Sequence, residues 1–153
     1  MADRRPLADS PPHNDALPAL PGGSGRDARA LADAGAAEVC VVARSPESAT
    51  HAASLAGSVG RVGDLAACGE ADLVVNATPV GMAGDPGTPC DPTLLGPGQI
   101  VVDIVYEPLE TPLLRAARAQ GSTVVDGLGM LVHQAAVAIG AWTGVAAPVD
   151  AMR

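Results

Sequence analysis

A chain of 153 residues is long enough for one domain with a substantial core, and 48% of its residues are hydrophobic while 17% are charged. Its formal net charge of -8 argues against nucleic acid or an anionic membrane surface as a partner, and no apolar run is long enough to span a membrane. All nine basic residues are arginine, so the chain offers no lysine for Schiff-base or acid–base chemistry.

The predicted elements begin after a distinct N-terminal segment. Residues 1–21 are rich in proline and small polar residues, and proline removes backbone donors, so we expect a disordered tail there. The domain itself is expected over residues 22–153. A helix is predicted at residues 27–34, ended by Gly35, and the apolar run at residues 38–43 predicts a strand buried on both faces.

Strands and helices then alternate to the end of the chain. Ser45 before Pro46, and Thr111 before Pro112, are each typical of a helix N-cap with proline at the first helical position. Strands are predicted at residues 59–62, 71–77, 99–105 and 122–126, and helices at residues 46–55, 112–120 and 129–143. Apolar strands separated by helices favour an α/β fold, a single-domain Rossmann-like doubly wound parallel sheet covered on both faces, with its first strand lost or irregular.

Glycine and basic residues stand at two places suited to a nucleotide. The first group precedes the first predicted helix and comprises Gly22, Gly23, Ser24 and Gly25. Such a turn lets backbone N–H groups approach a diphosphate, although a flexible loop is an equally common interpretation. Arg44 follows the strand at 38–43, where an acidic residue would hold a ribose 2′-hydroxyl; an arginine suits a 2′-phosphate and so favours NADP over NAD.

Three other strand ends carry polar or glycine residues, and ligands of open α/β sheets bind at the carboxyl ends of strands. Each has a structural alternative. Asn76 begins the segment 76–82 and can instead bond the backbone of its own turn. Tyr106 can be a core tyrosine, and Gln134, in the segment 126–134, can be an ordinary solvated residue.

The cysteines and histidines are dispersed. Cys40, Cys68 and Cys90 form no CxxC pair and lie far from His13, His51 and His133 in the sequence, so no metal site is expected. We interpret the cysteines as reduced, mostly buried thiols of a cytoplasmic protein.

Three segments, taken in their order and spacing, resemble the C-terminal half of the shikimate dehydrogenase family. They are Asn-Ala-Thr-Pro-Val-Gly-Met at 76–82, Asp-Ile-Val-Tyr-Glu-Pro at 103–108 with Thr-Pro-Leu-Leu at 111–114, and Asp-Gly-Leu-Gly-Met-Leu-Val-His-Gln-Ala at 126–135. The resemblance covers roughly residues 22–152. It implies a two-domain α/β enzyme that interconverts 3-dehydroshikimate and shikimate with NADP(H), in aromatic amino acid synthesis.

The resemblance also implies roles for individual residues. The positions it assigns are Gly22, Gly23, Ser24 and Gly25 at the cofactor diphosphate, Arg44 and Ser45 at the 2′-phosphate, Thr78, Ile104 and Gly127 near the nicotinamide, and Tyr106 and Gln134 at the substrate. Relatives that oxidise quinate share these motifs, so the substrate is left open between shikimate and quinate.

The sequence departs from the family pattern at its start. Leu20-Pro21-Gly22-Gly23 stands where the family has Gly-Ala-Gly-Gly after a strand. The family's catalytic lysine and aspartate come from an N-terminal domain, so no catalytic residue is expected here, and we expect the isolated chain to need a partner chain that supplies them. The long last helix is expected to pack toward that domain. The alternatives are a non-catalytic nucleotide-binding or interaction module and a degraded remnant that folds poorly.

Overall fold

A computed structural model describes residues 23–152. The expected tail at 1–21 and Gly22 lie outside the described residues. In chain order the elements are α1 (Gly23–Asp33), β1 (Val39–Val41), α2 (Pro46–Leu55), β2 (Gly60–Val62), β3 (Leu73–Asn76), β4 (Ile100–Asp103), α3 (Pro112–Ala119), β5 (Thr123–Val125), α4 (Leu128–Thr143) and α5 (Val149–Met152). Short 3₁₀ turns occur at Gly57–Val59, Leu65–Gly69, Met82–Gly84 and Pro92–Leu94.

The two helices predicted from capping signals begin where the sequence predicts. The Ser45 hydroxyl accepts the backbone N–H of Ser48 at 3.3 Å, and the Thr111 hydroxyl accepts that of Leu114 at 3.2 Å. Each cap satisfies a donor that the first turn would leave unpaired, and the following proline has no donor to satisfy. Every predicted strand is present but shorter, because the parallel ladder joins only three or four residues of each apolar run.

The first helix differs from its prediction. It starts at Gly23 rather than at residue 27, so Gly23 to Gly25 form its first turn and not a separate loop. Glycine lowers helix stability, but packing overrides this preference: Gly25 and Ala28 are buried, and α1 packs against α2 and β1.

The strands form two parallel sheets rather than one. β1 pairs with β2, and β3, β4 and β5 form a second sheet in that order. The parallel α/β prediction is therefore confirmed, whereas the single continuous sheet is not found among residues 23–152. β1 and β3 each have one unpaired edge, and a cavity of about 570 Å³ lies between these strands, with α1 forming another wall.

The hydrophobic core consists of two clusters, one for each sheet. The first joins α1, β1 and α2 and contains Ala28, Val39, Val41, Ala52, Ala53 and Ala56. The second lies under α3 and contains Cys90, Leu95, Val101, Leu113, Leu114 and Ala117. Because successive side chains of a strand point to opposite faces, α3 covers only one face of the three-stranded sheet.

The other face of that sheet is open in the described part of the chain, so the prediction of a sheet covered on both faces is wrong for these strands. Ile100 is 43% exposed and Val125 is 46% exposed. The last helix, α4, has the predicted extent but contacts mainly α5. Only Val132 of α4 is buried, while Trp142 is 81% exposed. None of the described helices has the length and hydropathy needed to cross a membrane.

Candidate functional site

The carboxyl ends of the strands bring the predicted site segments to one edge of each sheet. Parallel strands share this edge, and helices that connect them begin there. Arg44 follows β1, Thr78 follows β3, Ile104 follows β4 and Gly127 follows β5. Within the three-stranded sheet the topology therefore gathers Thr78, Ile104 and Gly127, although Thr78 and Gly127 are 49 positions apart in the sequence (78 to 127).

The start of α1 supplies backbone donors at this edge. The first N–H groups of a helix have no intrahelical acceptor and carry a partial positive charge. In α1 these groups belong to the turn that begins with Gly23, Ser24 and Gly25. The α1 helix is 11 residues long, and its direction places this turn beside the end of β1, since its other end connects to the beginning of β1. The arrangement suits an anionic group.

Arg44 and Ser45 lie between β1 and the first turn of α2. Arg44 is exposed, and the four ion pairs found among residues 23–152 all involve other arginines. Its guanidinium donors are therefore available to a ligand. The Ser45 hydroxyl oxygen accepts a bond as the N-cap of α2, which leaves its hydrogen free to be donated. A cationic side chain, a hydroxyl and a helix N-terminus form a donor set that fits a phosphate.

Asn76 at the end of β3 has a structural role, which decides between the two interpretations of this residue. Its side-chain nitrogen donates to the Val80 carbonyl at 3.2 Å and to Asp103 Oδ1 at 2.9 Å. Its side-chain oxygen accepts the Thr78 backbone N–H at 3.0 Å and the Thr78 hydroxyl at 2.7 Å. Asn76 is only 3% exposed, so these four bonds hold the turn after β3 and leave the amide unavailable to a ligand.

Asp103 at the end of β4 is the centre of this network, and sequence reasoning missed its role. It is fully buried; Oδ1 accepts the Val105 N–H at 3.0 Å as well as the Asn76 amide, and Oδ2 accepts the Thr111 hydroxyl at 2.7 Å. Asp103 therefore ties the ends of two strands to the cap of α3. The sequence signal that could have revealed this role was the register of the two strands. Asn76 and Asp103 are paired positions at the ends of adjacent apolar strands.

Thr78 is oriented by the same network. Its hydroxyl donates to Asn76 Oδ1 and accepts the Val80 N–H at 3.2 Å. The hydroxyl is thus committed within the turn, and Thr78 presents its backbone and methyl group instead. Thr78 also lines the cavity between β1 and β3.

Gly127 and Ile104 are brought into close contact. A Cβ atom on Gly127 would lie 2.5 Å from the Ile104 carbonyl oxygen and 2.7 Å from that of Val105. Only glycine therefore lets the start of α4 approach the end of β4 at this distance. The next helical N–H, that of Leu128, is capped by Asp126 Oδ1 at 3.1 Å.

Asp27 is a polar residue of the cavity that the sequence did not indicate. It lies on α1 beside Ala28 and Leu31, which also line the cavity, and its Oδ2 atom is buried without a hydrogen-bond partner in the described part of the chain. Burial raises the pKa of Asp27, and the nearby Arg26 partly opposes this effect.

The two predicted substrate residues are both accessible. Tyr106 is 47% exposed, so the alternative of a core tyrosine is wrong, and Gln134 is exposed on α4. Within residues 23–152 no hydrogen bond joins them to each other. The side chain of the neighbouring His133 is hydrogen-bonded within its own helix, with Nδ1 2.6 Å from the Gly129 carbonyl oxygen. No group of three metal-binding side chains is found among the described residues.

Comparison with known proteins gives one consistent family. A family model described as the shikimate 5′-dehydrogenase C-terminal domain matches residues 127–153. The shikimate dehydrogenase (NADP(+)) of Acidiphilium cryptum is 49% identical over 139 residues, which are 87% of this chain and 50% of that protein. The chain therefore spans about half the length of the curated relatives that it matches.

Solved structures agree with this similarity. The quinate dehydrogenase from Corynebacterium glutamicum in complex with NAD is 35% identical, with a TM-score of 0.76, over 84% of this chain and 49% of that one. The shikimate 5-dehydrogenase from Thermus thermophilus in complex with NADP(H) and shikimate is 40% identical, with a TM-score of 0.73, over 80% of this chain and 46% of that one. The described fold is thus Rossmann-like, as the sequence predicted.

Proposed function

Because the chain belongs to the shikimate dehydrogenase family, as the counterpart of its C-terminal half, we propose that it binds NADP(H) and forms the cofactor domain of a shikimate dehydrogenase. The supporting observations are the strand ends that carry the predicted positions and the start of α2, where Arg44 has no ion-pair partner among the described residues. In this proposal the substrate is 3-dehydroshikimate or shikimate, with quinate as the nearest alternative.

The phosphate groups of the cofactor divide between two helix starts. The backbone N–H groups of Gly23, Ser24 and Gly25, with Gly22 before them, bind the diphosphate, because an anion there is stabilised by the helix dipole. Arg44 and Ser45 bind the 2′-phosphate at the start of α2. Arginine offers two parallel donors to a phosphate, which gives specificity for NADP over NAD.

The nicotinamide half lies along the remaining strand ends. Thr78 contributes its backbone and methyl group, since its hydroxyl is bonded to Asn76. Ile104 and Gly127 provide a close backbone surface at which an added side chain would collide. When bound, the nicotinamide supplies or accepts the hydride of the reaction. Tyr106 and Gln134 are both accessible and donate hydrogen bonds to the polyol acid.

A proton must also move when a carbonyl and a hydroxyl interconvert. The chain contains no lysine, and its Asp103 is fully buried in bonds to Asn76, Val105 and Thr111. We therefore assign the proton transfer to a partner chain that carries the catalytic lysine and aspartate. A positioned acid or base contributes about 10²–10⁴-fold to a rate, so the chain alone has little or no activity. A cytoplasmic location accords with this role.

The second candidate function is a non-catalytic nucleotide-binding module. It is favoured by the absence of lysine from the sequence, and it differs from the first only in having no catalytic partner. Both functions require NADP to bind.

The test is calorimetric titration of the chain with NADP(+) and NAD(+), beside an Arg44→Ala variant. We expect NADP(+) to bind and the variant to bind it roughly 10- to 100-fold more weakly, because a charge-assisted hydrogen bond contributes about 1.5–3 kcal/mol. Binding of NAD(+), which has no 2′-phosphate, should change little.

Arg118→Ala is the matched control. It removes the same charge from the last turn of α3, which leads to the beginning of β5 and thus lies at the opposite edge of the sheet. If both variants weaken NADP(+) equally, the effect is one of net charge and the assignment of Arg44 is wrong. If neither nucleotide binds to the unmodified chain, both candidate functions are excluded.

A further inference from the structure

Three cysteines that are far apart in the sequence line a single small cavity. Cys40 lies in β1, Cys68 lies in the turn Leu65–Gly69 and Cys90 lies in the loop that follows β3. All three border a cavity of about 160 Å³, and all three are free thiols. The fold therefore assembles a thiol cluster that the dispersed sequence positions did not predict.

Within this cluster Cys68 and Cys90 belong to the same part of the hydrophobic core. Cys68 packs on the core cluster that contains Cys90, and each thiol shifts the pKa of the other. Neighbouring bonds fix both backbones: Gln99 Nε2 donates to the Cys68 carbonyl at 2.8 Å, and Asp91, next to Cys90, accepts the Thr93 N–H at 2.9 Å. The fold therefore brings both thiols to the wall of the same small cavity.

The three thiols differ in reactivity. The neighbouring Cys90 thiol lowers the pKa of Cys68 to about 7, while Cys68 and burial raise the pKa of Cys90. Burial also raises the pKa of Cys40, against the effect of Arg61. Thiolates are the nucleophilic form of cysteine, and Cys68 is half-buried whereas Cys90 is 6% exposed. Near neutral pH Cys68 is therefore the reactive member.

We propose that Cys68 and Cys90 are an oxidisable pair, in which Cys68 Sγ attacks a low-molecular-weight disulfide such as oxidised glutathione and Cys90 Sγ then closes an intrachain disulfide. In the first step the Cys68 thiolate bonds to one glutathione sulfur and the other glutathione leaves as a thiolate. In the second step Cys90 loses its proton to solvent, attacks Cys68 Sγ and displaces the second glutathione thiolate. Two cysteine thiols are oxidised and one disulfide is reduced to two thiols.

The disulfide would close a covalent ring around the segment between the two cysteines, and this segment contains a predicted cofactor position. Residues 69–89 lie between the two cysteines and include β3, Asn76 and Thr78. Thr78 borders the same cavity as the thiols. Oxidation would thus place the turn after β3 inside a covalent ring, and this inference holds whether or not the chain binds NADP.

Tryptic mapping of the folded chain tests the pair directly. Cleavage after arginine leaves Cys68 and Cys90 in one peptide, residues 62–115, and Cys40 in another, residues 30–44. We treat the chain with oxidised glutathione, block remaining thiols with iodoacetamide and digest it. The expected result is an unalkylated 62–115 peptide that is two hydrogens lighter, with a fully alkylated 30–44 peptide as the internal reference.

Three variants distinguish the steps. Cys90→Ser should stop at a glutathione mixed disulfide on Cys68, Cys68→Ser should leave Cys90 unmodified over the same time, and Cys40→Ser should behave as the unmodified chain. Circular dichroism establishes that each variant is folded. Alkylation of both cysteines in the 62–115 peptide, a disulfide that includes Cys40, or equal reaction at Cys90 in Cys68→Ser would each overturn the proposal. So would a cross-link that forms equally fast in denaturant.

Discussion

Gly127 and Gly129 lie two positions apart at the start of α4, but their surroundings differ. A Cβ on Gly127 would meet the carbonyl oxygens of Ile104 and Val105 at 2.5 and 2.7 Å, whereas a Cβ on Gly129 would meet nothing within 4 Å. We expect Gly127→Ala to lower the free energy of unfolding by about 1–3 kcal/mol, since backbone atoms would have to move. Gly129→Ala should raise it by about 0.4–1 kcal/mol.

Urea unfolding of the two variants, followed by far-UV circular dichroism, measures this difference. Trp142 is a poor fluorescent probe of unfolding because it is already 81% exposed in the folded chain. Equal stabilities of the two variants would contradict the close approach of α4 to the end of β4.

Asp27 gives a prediction about pH. Its buried Oδ2 has no partner among the described residues, so we expect Asp27→Ala to raise the free energy of unfolding by about 1 kcal/mol at neutral pH. Because burial raises the folded-state pKa above the unfolded one, the folded chain binds the proton more tightly. The unmodified chain therefore gains stability as pH falls through its folded-state pKa, and the advantage of the variant shrinks toward the ordinary aspartate range.

The control is Asp33→Ala on the same helix. Asp33 is 69% exposed and pairs with Arg29 at 3.4 Å, and such surface pairs contribute about 0–1 kcal/mol. Denaturant titrations at several pH values compare the three proteins. If the advantage of Asp27→Ala is absent, or stays constant as the pH is lowered, then Asp27 is not the desolvated group described here.

At this scale the sequence predicted positions better than roles. Arg44, Thr78 and Gly127 each follow a strand, as the sequence predicted, while their roles as cofactor contacts stay predictions. The sequence could not show that Asp103 is fully buried or that the Thr78 hydroxyl is used by Asn76, since both depend on the distance between two strands. Asp27 was missed because the position of a residue in a helix does not reveal whether its side chain faces a cavity.

At the scale of elements, the predicted start of a helix was correct where the side chain of one residue caps that helix. Ser45 and Thr111 each cap a helix that begins with proline, and both helices start where predicted. The start of α1 was wrong because burial of Gly25 and Ala28 against α2 outweighs the low helix propensity of glycine. The predicted strands were too long because each apolar run continues beyond the residues that pair with a neighbouring strand.

At the scale of the molecule, the described chain exposes apolar surface that a stable partner would cover. Most residues of the helix α4 are apolar, yet Val137 is 73% exposed and Trp142 is 81% exposed. The apolar face of a helix is ordinarily buried against another element. One face of the three-stranded sheet is also open, with Ile100 and Val125 more than two-fifths exposed. Sequence periodicity predicted the helix and the strands but could not indicate that they would remain uncovered.

This exposure and the proposed function lead to one prediction about association. We expect the chain to acquire NADP(+)-dependent oxidation of shikimate when it is mixed with the separately produced N-terminal half of the Acidiphilium cryptum relative, because that half would supply the acid–base groups. The assay is the absorbance of NADPH, with each half alone as the blank. A positioned acid or base should separate the mixture from the chain alone by at least about 100-fold.

The contribution of α4 is tested within the same mixture by Val137→Glu. A charge at this exposed position should leave the stability of the isolated chain nearly unchanged but oppose burial against a partner, since an unpaired charge is costly to desolvate. Ala119→Glu, at the exposed end of α3, adds the same charge elsewhere. Loss of activity with Val137→Glu alone would place the partner on α4. Equal activity of both variants would indicate that the partner binds the open sheet face instead. If the mixture is inactive but the chain still binds NADP(+), the non-catalytic nucleotide-binding module is favoured.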